Sequence, residues 1–477
     1  MEEILATALR RPDTPALLWS DADRQTVTYA ELTGLARRIG DELDARYGPE
    51  SRLLALVAAK STTAIAAILA CLTAGRPLLL VSPELGEETL TTLVERAGAG
   101  GVLTVSGREL VCGPPLPVAE PGPALPAGTG LILTTSGSTG LPKLVPLSAE
   151  ALDAFTAWAG EEFGLDRDTR VLNYAPLNFD LCLLDIWATL RHGGCVVPVA
   201  PDRAVDGGYL AGLLRETRPH VVQAVPLFFR LLLDAADGPF PGVRDVVLTG
   251  DHVPRPVRAR LPQAFPQARL HNVYGCTETN DSMLHTFTPA EGAEAEVLPL
   301  GRPLPGAAVA VLDGDREVTG PGTGELVVST PFQTRGYLAD DHAAERFERR
   351  GDRIWYRTGD LVERDAAGRL VLLGRTDFQV KIRGVRVNLE EIERVLDSHT
   401  DVVEAAVIAL PDEEAGRVLH AFVRPVDTGL SALRLRTHCS ARLNRVAIPT
   451  RFHLVADPLP VGPTGKVDRR RLQKELT

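Results

Sequence analysis

Lysine is scarce in this chain of 477 residues, because only five of its 51 basic residues are lysine and the other 46 are arginine. The 62 acidic residues give a formal net charge of −11 at pH 7. Nothing in this balance favours nucleic acid as a partner, so we predict none. Lys143, Lys381 and Lys466 lie in glycine-containing motifs, whereas Lys60 and Lys474 fit no motif and are predicted to be solvated.

Cysteine is also sparse and scattered. The six cysteines form no CxxC pair and no Cys/His cluster at zinc spacing, so we expect reduced thiols and no structural zinc site. Cys276 follows a glycine in one of the motifs below, but no adjacent base is evident in the sequence. It is therefore predicted to be a small buried residue rather than a nucleophile.

Long hydrophobic runs and a secretory leader are missing as well. The start, MEEILATALRRPD, has no apolar core behind a basic segment, and no stretch reaches the ~18 apolar residues of a membrane span. We therefore predict a cytoplasmic protein with no membrane partner. The composition, 44% hydrophobic and 24% charged, is typical of soluble globular proteins, and the length predicts roughly two to four domains.

Short runs rich in valine and leucine alternate with stretches of helical length up to about residue 300. Examples are VLNYAP, CVVPVA and VRDVVLTG, each ended by glycine or proline. This pattern predicts an α/β fold whose mostly parallel sheets are covered by helices. A smaller β-rich unit is predicted after residue 300, and a small α+β domain after Gly374. The predicted domains are a core of residues 1–376 and a mobile lid of residues 377–477. Residues 105–128, rich in proline and glycine, are predicted to be a surface connection.

The strongest local signal is a loop of glycines and hydroxyl residues that follows an apolar strand and ends in a lysine: LTTSGSTGLPK, residues 133–143. Free backbone N–H groups, hydroxyl donors and one ammonium suit a polyphosphate. The loop is not a Walker A motif, because Leu144 rather than Ser or Thr follows Lys143. By itself such a loop is more often a solvated turn, so its interpretation depends on the other motifs.

Four further motifs follow along the chain. They are NVYGCTET (residues 272–279), YRTGDL (356–361), GRTDFQVKIRG (374–384) and PTGKVDR (463–469). The first places an aromatic ring, a hydroxyl and a carboxylate at the expected end of a strand, which suits a purine, a phosphate and Mg²⁺. In the second, an aspartate after glycine suits ribose hydroxyls. Together the five motifs predict a nucleotide-binding site.

In this order the motifs resemble those of the adenylate-forming superfamily, which contains acyl-CoA synthetases, luciferases and the adenylation domains of nonribosomal peptide synthesis. GRTDFQVKIRGVRVNLEEIE and PTGKVDRRRL resemble the peptide-synthetase branch in particular. Leu144 stands where the family usually has glycine, and Asn388 where it usually has glutamate. The resemblance implies that a carboxylate attacks the α-phosphorus of ATP, that pyrophosphate leaves, and that a thiol then takes the acyl group. Catalysis would be mainly positioning and electrostatic stabilisation.

The resemblance also implies roles for single residues. Lys466 would bind the substrate carboxylate and a bridging oxygen of AMP, and Glu278 would ligate Mg²⁺. Asp377 would be the hinge of the lid, and Lys381 and Gly384 would lie on the thioester-forming face. The implied ATP-binding residues, in which Tyr274 stacks on adenine and Asp360 and Arg375 bind the ribose, are Thr135, Ser136, Gly137, Ser138, Thr139, Gly140, Lys143, Tyr274, Gly275, Thr277, Asp360 and Arg375.

Asp180, in the apolar run NFDLCLLD (residues 178–185), gives information on the identity of the carboxylic acid substrate. A buried carboxylate needs a cation, and the resemblance implies that Asp180 pairs with a substrate ammonium. Asp185 is predicted to begin a helix rather than to bind substrate. The remaining implied pocket residues are Leu181, Leu184, Gln223, Val247, Thr249, Val273, Asp281 and Ser282.

Mostly apolar walls favour a small apolar amino acid. Asp180, Leu181 and Leu184 resemble the pattern of prolyl-carrier-protein ligases, so L-proline is the first choice of substrate. If Asp281 faces the pocket, an amino acid with a second amine becomes the alternative. An acyl-CoA synthetase acting on an acid without an amine is a further alternative, as is a non-catalytic nucleotide-binding protein.

The thiol acceptor is expected to be a separate protein or a free thiol, because only 11 residues follow Lys466. We expect the phosphopantetheine thiol of a carrier protein, with free CoA as the alternative. Carrier proteins are usually acidic, so the arginine-bearing segment of residues 381–386 is predicted to be the docking site.

Overall fold

The computed structural model describes residues 1–20, 25–48, 52–117, 123–135, 142–251, 253–295, 297–339, 346–375, 379–412, 416–426, 429–460, 467, 469–474 and 476. They form two compact units. The first comprises Met1–Pro83, Val94–Thr134 and Leu144–Gly374, and the second comprises Glu84–Leu93, Thr135–Lys143 and Arg375–Thr477. The predicted domain boundary, between residues 376 and 377, lies outside the described residues.

Strands and helices alternate along much of the chain. The strands are β1 (Pro15–Leu18), β2 (Thr26–Thr28), β3 (Leu54–Val57), β4 (Leu78–Val81), β5 (Val102–Ser106), β6 (Glu109–Cys112), β7 (Thr129–Thr135), β8 (Lys143–Ser148), β9 (Arg170–Asn173), β10 (Cys195–Pro198), β11 (Val221–Ala224), β12 (Asp245–Leu248), β13 (Arg269–Cys276), β14 (Asn280–Phe287), β15 (Arg302–Pro303), β16 (Ala308–Asp313), β17 (Arg316–Glu317), β18 (Gly322–Ser329), β19 (Phe347–Arg350), β20 (Arg353–Arg364), β21 (Leu370–Arg375), β22 (Gln379–Ile382), β23 (Val385–Asn388), β24 (Val402–Asp412), β25 (Gly416–Pro425) and β26 (Arg451–Leu454). The α-helices are α1 (Glu2–Arg10), α2 (Tyr29–Tyr47), α3 (Thr62–Thr73), α4 (Glu87–Ala97), α5 (Ala149–Glu162), α6 (Thr189–Arg191), α7 (Gly207–Thr217), α8 (Pro226–Ala235), α9 (Arg255–Ala264), α10 (Pro289–Glu294), α11 (Leu389–Asp397), α12 (Ala432–Ser440) and α13 (Arg469–Lys474).

A nine-stranded sheet, ordered β15-β14-β13-β12-β11-β9-β10-β1-β2, forms the centre of the first unit. Its six inner strands, from β13 to β1, are parallel, and antiparallel strands lie at both edges. A six-stranded sheet has the order β6-β5-β3-β4-β7-β8, and another has the order β17-β16-β18-β20-β19 with β21 paired to β20. The predicted α/β class, with mostly parallel sheets and a β-rich unit, is confirmed.

Alternating residues of the central sheet belong to two hydrophobic clusters. Val171, Val221 and Val247 belong to one cluster, and their neighbours Leu172 and Val222 belong to the other. This division follows from the side-chain alternation of a strand, which points successive residues to opposite faces of the sheet. Valine-rich runs therefore form strands that are buried on both faces, as parallel strands usually are.

The C-terminal part of the second unit is an α+β structure. A three-stranded sheet, β24-β25-β26, shares a hydrophobic cluster with residues of α11 and α12. β22 and β23 form a hairpin whose two-residue turn, Arg383-Gly384, has positive φ angles of 52° and 81°. Two successive positive φ angles are typical of a type I′ hairpin turn, which the glycine adopts without strain.

Two further observations complete the fold. Residues 105–128, predicted to be a surface connection, contain β6, which pairs antiparallel with β5. Because proline and glycine are frequent in this segment, its composition did not predict the four-residue strand. Among the described residues, no helix has the length and apolar character needed to cross a bilayer.

Gly275 permits a close approach of β13 and β14. A Cβ atom at this position would lie 2.3 Å from the carbonyl oxygen of Asn280, so Gly275→Ala forces two backbones apart. We expect a loss of about 1–3 kcal/mol, measured as a lower Tm in thermal unfolding. Gly212→Ala in α7, where a Cβ meets nothing within 4 Å, is the control and should be neutral or stabilising. An unchanged Tm for Gly275→Ala would contradict the requirement for glycine where β13 and β14 approach each other.

Candidate active site

Polar side chains occupy the carboxyl ends of two inner strands, where ligands bind in open parallel sheets. Asn173 ends β9 and pairs in register with Gln223 on β11, which in turn pairs with Val247 on β12. The three side chains therefore share one face of the sheet. Asn173 and Gln223 are both buried, so their amides need partners.

A buried aspartate supplies a partner for both amides. Asp185 accepts hydrogen bonds from Asn173 Nδ2 at 3.1 Å and from Gln223 Nε2 at 2.9 Å. It lies in the first turn of a π-helix, Leu183–Ala188, a rare conformation that is frequent at functional sites. Asp185 was predicted only to begin a helix. It does so, but its carboxylate is fully buried beside the predicted pocket residue Gln223.

Lys60 reaches the same region from the turn between β3 and α3. The prediction that it is solvated is wrong, because its side chain is only 7% exposed. Its Nζ donates to the carbonyl oxygens of Asn173 at 2.7 Å and Tyr174 at 3.1 Å. Burial lowers the pKa of Lys60, and the neighbouring Cys182 and Asp185 act in the opposite direction.

Asp281 is a third carboxylate in this region, at the start of β14. Burial, followed by the charges of Asp180 and Asp185, raises the pKa of Asp281 to about 8. The side chain is nonetheless partly exposed. No cationic side chain in the described part of the chain contributes to this pKa. Asp281 thus interacts with Asp180 and Asp185 electrostatically, and it does so without a compensating charge from the described residues.

The turn before Asp281 is held by its own polar groups. Asn280 has a φ of 53°, and its Nδ2 donates to the carbonyl oxygen of Phe332 at 3.1 Å. Ser282 Oγ donates to the carbonyl oxygen of Asn280 at 3.1 Å and lies 2.9 Å from Thr279 Oγ1. Ser282, predicted to line the pocket, is fully buried, so its hydroxyl supports the turn that presents Asp281.

The other predicted pocket residues are mostly apolar. Leu181 is partly exposed, and its carbonyl oxygen accepts from Gln223 Nε2 at 3.0 Å. The remaining members, all buried, are Leu184, Val247, Thr249 and Val273. The structure therefore places Asp180 and Asp185 within electrostatic range of Asp281, and Gln223 in contact with Asp185, in a single unit of the protein.

Two predicted nucleotide-binding residues contact each other directly. The Tyr274 hydroxyl donates to Asp360 Oδ2. Burial, followed by the Asp360 charge, raises the pKa of Tyr274 well above its usual value, so the hydroxyl keeps its proton. Asp360 N also donates to Thr358 Oγ1 at 3.0 Å. The side chains of Tyr274 and Asp360 are both buried, so these hydrogen bonds hold Asp360 in place.

Glu278, predicted to ligate Mg²⁺, lies in the turn between β13 and β14 and is buried. Tyr337, which sequence reasoning missed, donates to Glu278 Oε1 at 2.8 Å. Burial and the Glu278 charge raise the pKa of Tyr337, so this donor also keeps its proton. The pair resembles a ligand carboxylate held in place by a neighbouring hydroxyl.

A single carboxylate fits Mg²⁺, which proteins commonly bind through one or two carboxylates while substrate phosphates and water supply the other oxygens. The described residues contain no cluster of three or more His, Cys, Asp or Glu side chains that could hold a metal ion. Mg²⁺ at Glu278 would thus depend on ATP, and when bound it would neutralise charge on the phosphate oxygens.

The remaining predicted residues are placed as follows. Thr135 ends β7, and its Oγ1 is buried without a hydrogen-bond partner among the described residues. Cys276, predicted to be buried, is partly exposed, with Sγ 3.3 Å from Thr279 Oγ1. Lys143 begins β8, Arg375 ends β21, Thr277 lies in the turn after β13, and Lys381 and Gly384 lie in the β22–β23 hairpin. The predicted residues that lie outside the described part are Ser136, Gly137, Ser138, Thr139, Gly140, Asp377 and Lys466.

Comparison with known proteins defines the class. Residues 5–128 and 119–338 match the AMP-binding enzyme family, and residues 391–466 match the AMP-binding enzyme C-terminal domain. The chain belongs to the AMP-binding enzyme family, and it is an adenylate-forming ligase. Both the resemblance and the enzyme class predicted from the motifs are confirmed.

Three relatives illustrate the similarity. The chain is 28% identical to a D-alanine--D-alanyl carrier protein ligase of Bacillus licheniformis, covering 100% of this chain and 99% of the relative. It is 35% identical to the phosphinothricin tripeptide synthetase PhsC of Streptomyces viridochromogenes, covering 98% of this chain but only 44% of that protein. The structure of holo-PA1221, a nonribosomal peptide synthetase protein with adenylation and PCP domains, has a TM-score of 0.84 at 25% identity and covers 99% of this chain and 84% of its own.

The metal site is tested by removing the charge of the Glu278 carboxylate. Glu278→Gln keeps the acceptor for Tyr337 but removes the charge, so the Mg²⁺ concentration for half-maximal ATP–pyrophosphate exchange should rise about tenfold or more. Glu363→Gln, an exposed carboxylate on β20, is the matched control and should leave the Mg²⁺ dependence unchanged. Identical Mg²⁺ titrations for Glu278→Gln and the parent enzyme would remove Glu278 from the metal site.

Proposed function

We propose that this enzyme activates a diamino acid as its aminoacyl adenylate and transfers it to the phosphopantetheine thiol of a carrier protein. The relatives include a carrier protein ligase and adenylation domains, which support amino-acid activation and carrier loading as the general activity. The observation that favours a diamino acid is the position of Asp281, whose pKa is raised by burial and then by the charges of Asp180 and Asp185, and is not lowered by any described cation.

The charges around Asp281 support a second amine on the substrate. Asp180 and Asp185 both act on Asp281, and Lys60 is a described cation that acts on Asp185 but not on Asp281. An uncompensated carboxylate in such surroundings costs several kcal/mol or takes up a proton. A second ammonium group on the substrate would neutralise Asp281, while the α-ammonium lies at Asp180 as the resemblance implies.

The apolar walls support an aliphatic spacer between the two amines. Leu184 and Val247 are fully buried, and Val273 is nearly so. Each methylene group that is transferred from water to such walls contributes about 0.8 kcal/mol. L-proline fits the same walls but brings no cation to Asp281. An acid without an amine brings no cation to either Asp180 or Asp281, so an acyl-CoA synthetase acting on such an acid is the least favoured alternative.

The chemistry follows the order that the motifs imply. The substrate carboxylate attacks the α-phosphorus of ATP, the bond to pyrophosphate breaks, and the thiol then displaces AMP from the acyl carbon. Charge accumulates on phosphoryl oxygens in the first step, so positioned cations and N–H donors provide most of the catalysis. In this proposal Lys466 contributes the ammonium at the reacting carboxylate, and Glu278 holds Mg²⁺.

The substrate class is tested by amino-acid-dependent ATP–pyrophosphate exchange. The panel contains diaminopropionate, diaminobutyrate, ornithine, lysine, proline, alanine, glycine and a β-amino acid, and Lys466→Ala gives the background. We expect a diamino acid to give the highest kcat/KM. Asp281→Asn should lower that value at least tenfold through KM and leave proline less affected, because it removes only the partner of the second amine. Preference for proline in the parent enzyme would overturn the proposal, and response to acids without an amine would overturn the role of Asp180.

The pH dependence provides a second readout of the same pairing. Asp281, with a pKa of about 8, must lose its proton before it pairs with an ammonium group, so kcat/KM for the diamino acid should rise between about pH 6 and pH 8. Asp281→Asn should reduce this rise without abolishing it, because Asp185, whose pKa burial also raises to about 8, remains in the variant. A profile that is unchanged in the Asn variant would show that another group titrates.

We propose that the carrier protein docks at a basic groove in the second unit. A cavity of about 530 Å³ is lined in part by Arg383, Arg417, Arg436 and Arg445. All four side chains are exposed, and the protein as a whole is acidic. A local concentration of arginine on an acidic protein favours an acidic partner by charge complementarity. Arg383 belongs to the predicted docking segment, whereas the side chain of Arg386 lies outside the described part.

Charge reversal separates docking from adenylation. Arg383→Glu/Arg417→Glu should slow transfer to an acidic carrier protein at least tenfold, mainly through the KM for the carrier, and the loss should shrink at high salt. ATP–pyrophosphate exchange should remain within about twofold of the parent. Arg10→Glu, an exposed arginine of the first unit, is the control. Equal carrier KM values in the variant and the control would exclude the groove.

A further inference from the structure

We infer that Lys60 is a positioning residue for the amino-acid pocket: through Asp185 it fixes the amide of Gln223 so that the carbonyl oxygen of that amide is the group left for substrate. No motif or comparison assigns a role to Lys60. The inference rests on the proposed pocket, but it does not require that the substrate be a diamino acid.

Lys60 joins two parts of the first unit that are distant in the chain. It follows β3 and precedes Ser61, the N-cap residue of α3. Its Nζ binds two successive carbonyl oxygens, those of Asn173 and Tyr174, where β9 ends. An ammonium group has three protons, and two of them are used at the strand end that also bears the Asn173 amide.

Asn173 connects Lys60 with Asp185. Its carbonyl oxygen accepts from Lys60, and its Nδ2 donates to Asp185 at 3.1 Å. The fully buried Asp185 is acted on electrostatically by Lys60, and Cys182 is another titratable group near the ammonium. Burial raises the pKa of Asp185 to about 8, whereas Asn173, Lys60 and Gln223 lower it, so Lys60 is the cation that favours the ionised form of this buried carboxyl group.

The ionised form of Asp185 and the carbonyl oxygen of Leu181 together orient the amide of Gln223. A carboxylate only accepts hydrogen bonds, so the NH₂ group of Gln223, rather than its oxygen, must face it. Gln223 Nε2 donates at 2.9 Å to Asp185 and at 3.0 Å to the carbonyl oxygen of Leu181, which uses both of its protons. The acceptor Oε1 is then the group that remains for a ligand. Protonation of Asp185 would weaken its part in holding this orientation and leave the amide to the Leu181 carbonyl oxygen alone.

The inference is tested with Lys60→Met, Asp185→Asn and the double variant Lys60→Met/Asp185→Asn. Each single variant leaves one buried charge without its partner, so the KM for the amino acid should rise about tenfold, while kcat and the KM for ATP stay within about threefold. The double variant removes both charges. The oxygen of the amide introduced at position 185 still accepts from Gln223, and its NH₂ group can donate to Asn173 Oδ1, which has no partner in the described structure, once the Asn173 amide turns. Its amino-acid KM should return to within about threefold of the parent.

Three measurements separate positioning from a structural role. In Lys60→Met, Asp185 has lost its cation, so the fall of the amino-acid KM with pH should move to higher pH, whereas the double variant should keep the parent profile. Tm values of all variants identify any general loss of fold, and the double variant remains informative if Lys60→Met does not fold. Additive increases of KM, or equal losses of kcat and ATP affinity, would overturn the inference. An unchanged KM in Lys60→Met alongside a raised KM in Asp281→Asn would reject Lys60 and leave the proposed function intact.

Discussion

The pairing register of β9, β11 and β12 is the constraint on which both the core and the pocket depend. In this register Asn173, Gln223 and Val247 share one face of the sheet, while Leu172, Val222 and Val246 fill the hydrophobic cluster on the other face. A slip of one residue would exchange the two sets, burying amides in an apolar cluster and removing the partners of Asp185. The hydrophobic pattern of three strands thus fixes where the polar chemistry lies.

Burial strengthens the electrostatic interactions between the charged groups. The protonation of each group therefore depends on the charges of the others. Burial raises the pKa of both Asp185 and Asp281 to about 8, but two amides and Lys60 partly offset this for Asp185, whereas the described charges that act on Asp281 are both negative. The raised pKa of Asp281 means that its ionisation destabilises the ligand-free protein above the pKa of an unfolded aspartate, and this loss is complete above about pH 8. A ligand cation would recover that free energy on binding. The turn of Asn280 and Ser282 holds Asp281 against this cost.

Much of the fold follows from the sequence, because parallel strands are local valine-rich runs with glycine or proline at their ends. The runs VLNYAP, CVVPVA and VRDVVLTG form β9, β10 and β12 as predicted. The position of Lys60 was not predictable in this way, since its contact with Asn173 joins residues 113 positions apart. Asp185 did leave a signal, a charge within the apolar run LLDIWATL, but the same signal fits the beginning of a helix. Tyr337 lies outside every motif and is found only through its hydrogen bond to Glu278.

The proposed pocket would discriminate more sharply by charge than by size. One methylene group more or less against walls such as Leu184 and Val247 changes transition-state binding by about 1–3 kcal/mol, or roughly 10–200-fold. A site that must pair a buried charge excludes the analogue without the partner more strongly, because Asp281 then stays uncompensated or protonated. Selectivity for the number of amines should therefore be strict and selectivity for the length of the spacer gradual. Changes at Leu184 or Val247 would shift the preferred chain length, whereas changes among Asp180, Asp185, Asp281 and Lys60 would alter the class of substrate.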